Sequence, residues 1–374
     1  LSFSGSHGQD NGYVRLSLQP SSGTMDCSQI PRTCVFLFFT FIFHFAYSGI
    51  LTAYITLPIT IVAVLVFHAL CKSQLPPERL LKFATLFDLT HDLPDLSTKS
   101  ANDARNRTIL HRGGCIDAPE NTLEAIREAA KQGAAGVEID LQFTTDGVGV
   151  MLHDDRLERT TSGFGSVHNK SFVEIQDLDA ADKHPSRTSF PEGSVKIPKL
   201  KEALLECLQH KLLVFIDCKD NCPKTVKLID TLFTAHPELY NCAVVCSFYP
   251  HFIYNIRRTN PEVITALTYR KYAFATESDC VTPRNTGLFR RCLAYLVDYL
   301  NMWLMYAWAW RLCGNSFILL NKESVCWNEV QHWKNLGIHI LPWTVNSEVE
   351  KHFFMDHLNL PIISDGLHSD TSKE

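Results

Sequence analysis

Eight short apolar runs alternate with longer amphipathic segments between residues 108 and 345, and this alternation predicts an α/β barrel of the (β/α)8, or TIM, class. Two further observations support it. Polar residues gather at the C-terminal ends of four of the runs: His111 and Arg112, Glu138 and Asp140, His153, then Asp217 and Lys219. A barrel of this class carries its chemistry on that rim. The chain also has 374 residues, 45% hydrophobic and 20% charged, enough for one large domain with its own core.

Composition excludes some functions. A formal charge of −5 argues against a nucleic-acid binder, which would carry a basic excess. Thirteen cysteines form no pair of CxxC motifs, so a structural zinc site is not expected. Cys218 and Cys222 read as small hydrophobes, one in a strand and one in a loop.

Taken in order, residues 1–24 are rich in Ser and Gly and lack an apolar period, so they read as disordered or as sequence upstream of a start at Met25. Residues 25–72 read as a membrane anchor. From Cys34 to Cys71 there is no Asp, Glu, Lys or Arg, more than the roughly 20 apolar residues a span needs. Arg32 precedes this stretch and Lys72, Arg79 and Lys82 follow it. A cleaved signal would be shorter and end at a small-residue site. Sequons at Asn106 and Asn169 place the catalytic part on the lumenal or extracellular side. Residues 73–107, with Pro76, Pro77 and Pro94, read as a linker with a helix around Glu78–Phe87.

The barrel domain is expected over 108–368. Its strands are read at Thr108–Arg112, Gly136–Gln142, Val148–His153, Leu212–Lys219, Ala243–Phe248, Val263–Tyr269, Ser316–Leu320 and Ile338–Val345. Helices are read at Thr122–Gln132, Leu200–His210, Lys224–Ala235, His251–Arg258 and Val325–Leu336. The first has Asn121 as N-cap, an apolar stripe of Leu123, Ile126 and Ala130, and Gly133 as its C-cap. Only Thr144–Gly147 joins the second and third runs, too short for a helix. Asp146-Gly147 as a two-residue turn pairs Thr145 with Val148, and so puts Asp140 opposite His153. Residues 156–197 read as an irregular insertion over the mouth. Within 287–315, Cys292–Cys313 is apolar and aromatic, flanked by Arg290, Arg291 and Arg311. Asp298, Asn301 and its place between barrel strands argue against a span. It reads as an interfacial helix, or as an outer barrel helix with an apolar exposed face.

Glu138 and Asp140 alternate on one strand and Asp217 ends another, so three carboxylates converge on one rim. They repel one another unless a cation lies between them, and oxygen-only ligation suits Mg2+, ahead of Ca2+, rather than zinc. Arg112 and Lys219 add positive charge, matching an anionic substrate such as a phosphate. His111 and His153, titrating near neutral pH, suit proton transfer to and from the reacting oxygens. No GxSxG elbow, Walker loop, HExxH or complete GxGxxG is present.

These same residues carry a resemblance. His111-Arg112-Gly113-Gly114, Ala118-Pro119-Glu120-Asn121-Thr122, Glu138-Ile139-Asp140, His153-Asp154-Asp155, Arg159-Thr160-Thr161, Asp217-Cys218-Lys219, Ser247-Phe248 and Trp343-Thr344-Val345-Asn346 resemble the signature of the glycerophosphodiester phosphodiesterase family. The resemblance covers nearly all of 108–366. It implies a TIM barrel that hydrolyses glycerophosphodiesters to glycerol 3-phosphate and an alcohol. It also implies His111 and His153 as the acid/base pair, and Glu138, Asp140 and Asp217 as ligands of one divalent cation. Arg112 and Lys219 would bind phosphate, with Glu120 supporting them from behind. Many family members have Glu where this chain has Asp217. Two other readings stay open at this point: a lysophospholipase D that acts on acylated lipids, and a catalytically inactive membrane scaffold. Beyond substrate and membrane, the sequence points to no partner.

Overall fold

Runs of Val, Ile, Leu and Phe, interrupted by segments with helical period, pair side by side into a sheet that curls almost onto itself. The computed structural model describes residues 39–40, 50–83, 107–220, 222–277 and 280–367. The expectations for residues 1–24, for the start of the anchor, for most of the linker and for the Asn106 sequon lie outside them.

The strands are β1 (Thr108–Leu110), β2 (Gly136–Phe143), β3 (Gly149–Met151), β4 (Leu213–Cys218), β5 (Ala243–Ser247), β6 (Ile264–Tyr269), β7 (Phe317–Asn321), β8 (His339–Trp343) and β9 (Ile362–Ser364). Eight of them run parallel in the order β8-β7-β6-β5-β4-β2-β1-β9. The Val345 amide donates to the Ile363 carbonyl at 2.8 Å, linking the segments that follow β8 and form β9. The result is a nearly closed eight-stranded parallel barrel. All residues of the barrel strands except the two ends of β8 are buried, as strands covered on both faces should be.

Two of the expected strands need correction. The run Val148–His153 is not the third barrel strand. Its ordered part, β3, is antiparallel to β2 and stands off the barrel path. The eighth barrel strand is β9, a run the sequence reading left out.

The turn between β2 and β3 differs as well. Thr144 pairs with Val148, its amide donating to that carbonyl at 3.1 Å. The loop therefore holds three residues, Thr145, Asp146 and Gly147, with Gly147 at φ 81°. Three-residue loops with a left-handed glycine are the next commonest hairpin after two-residue ones. The extra residue slips the register by one, so Leu141 pairs with Met151, and Leu152 donates to the Asp140 carbonyl at 3.1 Å. Asp140 is thus opposite Leu152, not His153.

The helices packed around the barrel are α2 (Leu123–Gln132), α3 (Leu200–Gln209), α4 (Pro223–Ala235), α5 (Pro250–Thr259), α6 (Leu288–Leu304), α7 (Trp310–Cys313), α8 (Trp327–Asn335) and α9 (Glu348–His352), with α1 (Ile50–Leu70) before β1. A π-helical stretch, Met305–Ala309, joins α6 to α7. The N-cap of α2 is Thr122, whose hydroxyl accepts from the Ala125 amide at 3.2 Å, rather than Asn121. Gly133 caps the other end in the left-handed conformation, as expected.

Residues 156–197 contain short helical turns and bury a cluster of their own, including Leu157, Val167, Ile175, Val195 and Ile197. Ahead of the barrel, Pro77–Phe83 is a 3-10 helix, and the rest of the helix expected around Glu78–Phe87 lies outside the described residues. Its Phe83 is fully buried, with its ring 6.2 Å from Phe215 and 5.3 Å from Phe317. These rings fill the barrel at the N-terminal ends of its strands.

The approach of β2 to β4 depends on Gly136. A Cβ there would lie 2.3 Å from the Leu213 carbonyl oxygen, where only backbone could move. Gly136→Ala is expected to destabilise the barrel by about 3 kcal/mol through this overpacking. A thermal melt superimposable on the parent's would refute that contact.

Candidate active site

Strand register sets the three carboxylates. Asp140 on β2 pairs with Asp217 on β4, and Glu138 shares their face two residues earlier. One oxygen from each comes within 4.8 Å of the others, and all three residues are buried. Asp217 Oδ1 has no hydrogen bond, although buried. Asp140 Oδ1 has none either and meets the ammonium of Lys219 at 2.9 Å. Lys219 also contacts Asp217 through its other oxygen. Burial, and after it the charge of Asp140, push the Glu138 carboxyl up to about 8. Burial opposes ionisation of Asp140 too, but Lys219, His153 and Arg112 hold it well below the usual carboxylate range. The side chains thus supply too little positive charge to keep all three acids ionised. A buried, oxygen-only set with unbonded lone pairs fits a hard divalent ion.

His111 and Arg112 follow β1 in a tight turn. Arg112 has φ 54°, Gly113 φ 83° and Gly114 φ 99°. A Cβ on Gly113 would lie 2.8 Å from that of Ala125 on α2, so the turn can press this close only with glycine there. The turn brings the Arg112 amide to Glu138 Oε2 at 3.0 Å and His111 Nε2 to within 3.8 Å of the same oxygen. His111 Nδ1 pairs with Asp365 Oδ1 at 2.6 Å. Asn346 fixes Asp365 on two sides: Nδ2 donates to its carboxylate at 2.6 Å, and the Asp365 amide donates back to Oδ1 at 3.0 Å. Burial disfavours protonated His111, but Asp365 and Glu138 outweigh it and raise its pKa. Burial also pushes Asp365 up, yet His111 and Asn346 hold it well below the carboxylate range.

The register slip would turn His153 away if β3 continued. Instead β3 ends at Met151 and the chain bends at His153, whose carbonyl accepts from Gln142 Nε2 at 2.9 Å. The imidazole therefore still acts on the charge of Asp140. Its Nδ1 pairs with Asp154 at 2.7 Å. Burial lowers its pKa, and Lys219 and Arg112 lower it further against the pull of Asp140.

Arg112 donates to both Glu120 oxygens at 3.1 and 3.3 Å. Its Nε lies 3.7 Å from Asp140 and has no hydrogen bond. Glu120 is shared: Arg159 forks onto it with contacts of 2.8 and 2.7 Å. Nε of Arg159 donates to Asp154. One guanidinium thus links His153, through Asp154, to Arg112, through Glu120.

All eight residues singled out in the sequence gather at this rim. Sequence reasoning missed the partners. Asp365 and Asn346 were left without a role, and Arg159 and Asp154 appeared only in a motif. Asn121 was read as a cap. It sits at φ 58°, a left-handed position that asparagine tolerates, and its amide both donates to Asp140 at 2.8 Å and accepts from the Asp140 backbone at 2.9 Å. A signal for Asp365 was present. Leu360–Ile363 is a short apolar run followed closely by an acid, a pattern akin to the one that marked β2 and β4.

Residues 111–369 match the model of the Glycerophosphoryl diester phosphodiesterase family. The chain is 41% identical over 266 residues to glycerophosphodiester phosphodiesterase 1 of Mus musculus, covering 71% of this chain and 80% of that protein. It is 25% identical over 260 residues to a glycerophosphodiester phosphodiesterase of Bacillus subtilis, covering 67% and 80%. Among solved structures, a phosphodiesterase of Oleispira antarctica in complex with its product sn-glycerol-3-phosphate superposes with a TM-score of 0.54 at 23% identity. That match covers 71% of this chain and 96% of the other. At that identity the likeness speaks for the fold.

Proposed function

The chain belongs to the glycerophosphoryl diester phosphodiesterase family, and on that premise we propose that it hydrolyses deacylated phospholipids to glycerol 3-phosphate and an alcohol with the help of one divalent cation. The single observation that carries the metal is the buried Glu138, Asp140 and Asp217 triad with its unbonded oxygens. Mg2+ is favoured ahead of Ca2+, because Glu138, Asp140 and Asp217 would hold a small hard cation that takes few protein oxygens. The bound ion would supply charge stabilisation at a phosphoryl oxygen.

The protein's own groups do the rest. Arg112 holds the phosphate through its free Nε and adjacent N–H groups. Lys219, now turned onto Asp140 and Asp217, adds its charge at the same place. His111 and His153 are each held at Nδ1 by a carboxylate, which leaves Nε2 of both to exchange a proton with the attacking or the leaving oxygen.

The reading is tested on purified protein with a panel of glycerophosphodiesters and lyso-phospholipids, with glycerol 3-phosphate as the readout for the former and acyl-glycerol 3-phosphate for the latter. Chelation is expected to abolish release and Mg2+ to restore it. Undiminished release after exhaustive chelation would sink the metal. Turnover confined to acylated substrates would transfer the site to lysophospholipase D chemistry, and no release from any of them would favour the inactive scaffold.

The same reading places the protein on a membrane, with the barrel on the lumenal or extracellular side. Among the described residues no helix is long and apolar enough to cross a membrane; side chains of α1 are described from Thr56 onward. Support comes from the uncharged run Cys34–Cys71 and from the exposed Ile59, Ile61, Val62, Leu65 and Val66 on α1. Asn169 is exposed, as a glycosylated residue must be. On α6, Phe289, Leu296, Leu300 and Trp303 are exposed beside Arg290 and Arg291, which suits the headgroup layer. Asp298, which argued against a span, is buried and accepts from the Phe274 and Ala275 amides at 3.1 and 2.8 Å.

A further inference from the structure

The end of α1 is fastened to the end of α7. The Lys72 amide donates to the Leu312 carbonyl at 3.1 Å, and the Phe67 ring stands edge-on to Trp308 at 4.8 Å. Gly314, at φ 62°, lies so close that a Cβ would come within 2.5 Å of the Lys72 carbonyl oxygen. Beside this junction opens a cavity of about 360 Å³, lined by His68, Cys71, Lys72, Gln74, Trp310 and Arg311. That volume lies within the range of small-ligand sites.

Its lining carries two cations and no acid. Among the described residues neither cation has a carboxylate partner. Lys72 sits over the ring of Tyr254 and Arg311 over that of Trp310, each 5.1 Å from the ring centre. Unneutralised Lys and Arg on one wall make a phosphate site, the guanidinium supplying a planar fork and the ammonium a point charge. The wall also continues the exposed apolar surface of α1, where Leu65, Val66 and Leu70 face outward. A soluble anion would not need that surface. A lipid would use it for its acyl chains while its phosphate met the cations.

We propose that this cleft binds the headgroup phosphate of an anionic phospholipid, with Lys72 and Arg311 on the phosphate, Trp310 against the glycerol and the chains along α1. The inference rests on the reading of α1 as membrane-associated. It fits a known pattern, basic pockets at the ends of membrane helices that hold lipid headgroups. The site lies at the N-terminal ends of the barrel strands, remote from the catalytic rim, so its ligand is not the substrate in the act of hydrolysis.

The test uses the full chain, purified in a neutral detergent and stripped of lipid, then titrated with phosphatidate or phosphatidylcholine and read by native mass spectrometry. One phosphatidate is expected to bind, at least tenfold in preference to phosphatidylcholine. Lys72→Gln with Arg311→Gln should weaken it about thirtyfold, roughly fivefold or more for each cation. Hydrolysis of a soluble glycerophosphodiester should be unchanged in that variant, which also reports its folding. Equal binding of the two lipids, or phosphatidate binding untouched by the double substitution, overturns the site. Displacement of phosphatidate by a modest excess of inorganic phosphate would show a site for free anions and overturn the lipid. Alkaline carbonate washing of membranes that contain the full chain separates the two ideas. Release by carbonate defeats the anchor, whereas the titration in detergent judges the cleft directly.

Discussion

Asp365→Asn is expected to lower kcat about a thousandfold while leaving the fold and KM nearly intact. The carboxylate accepts from His111 Nδ1 at 2.6 Å and so fixes the tautomer with a free Nε2 toward the carboxylate rim. Asparagine has the same shape, but its amide can donate to Nδ1. That would place the imidazole proton on Nε2, where a base needs a lone pair. Loss of the orienting carboxylate in a triad hydrolase costs a factor of about 10⁴, with geometry preserved. The loss here is put lower because the neighbouring metal site and His153 remain. Asn346 can still donate to the replaced side chain and accept from the backbone amide of residue 365, so the variant should melt within a few degrees of the parent. Steady-state kinetics on a soluble glycerophosphodiester decide the matter. A kcat within a few-fold of the parent would remove Asp365 from the machinery and call the role of His111 into question.

Arg159→Met should produce the second large loss, about a hundredfold in kcat with a smaller rise in KM. All three nitrogens of Arg159 are held by carboxylates, the fork on Glu120 and Nε on Asp154. It acts through others as a positioning residue. Without it, Asp154 can swing off His153 Nδ1, and Glu120 can draw Arg112 out of its present pose. Misplacement of reacting groups by about 1 Å suffices for a hundredfold loss. Two carboxylates at an angle need a planar guanidinium, so Arg159→Lys should recover only a minor part. Methylguanidinium added to Arg159→Ala should restore activity where methylammonium does not. A structural contribution alone would show no such selectivity, and Arg159→Lys at parental kcat would refute the linkage.

Much of the barrel was legible because parallel strands buried on both faces are plain apolar runs, and because three of those runs carry the charged residues singled out, His111 and Arg112, Glu138 and Asp140, and Asp217 and Lys219. The acidic side chains were legible because period two puts Glu138 and Asp140 on one face of β2 and parallel pairing sets Asp217 beside Asp140, whereas the direction of His111 comes from the turn that follows β1. What failed was local. The β2–β3 turn holds three residues in place of two, and a pattern of Asp-Gly between apolar runs does not distinguish them. The resulting slip would have turned His153 outward, had the chain not left the strand at Met151. β9 was overlooked because three residues are too short a run to stand out, and Asp365 was lost with it. Asn121 shows a different limit. Its left-handed backbone depends on the turn it closes with the Arg112 carbonyl, a contact between segments that no single-stretch pattern reveals.

The way the segment 71–83 meets the barrel has a consequence for traffic. Lys72 bonds to Leu312, Gln74 Nε2 donates to the Leu336 carbonyl at 3.2 Å, and Arg257 donates to the Ser73 carbonyl at 2.6 Å. Each of these partners precedes a strand, so the tether enters through the floor, which Phe83 stoppers. The enzyme is a cup held by its base. Whatever is cut at the opposite lip must arrive and leave at that end of the barrel. On the membrane attachment proposed above, small water-soluble diesters would reach that lip directly, whereas a lipid still seated in the bilayer would first have to be lifted out and carried the height of the barrel.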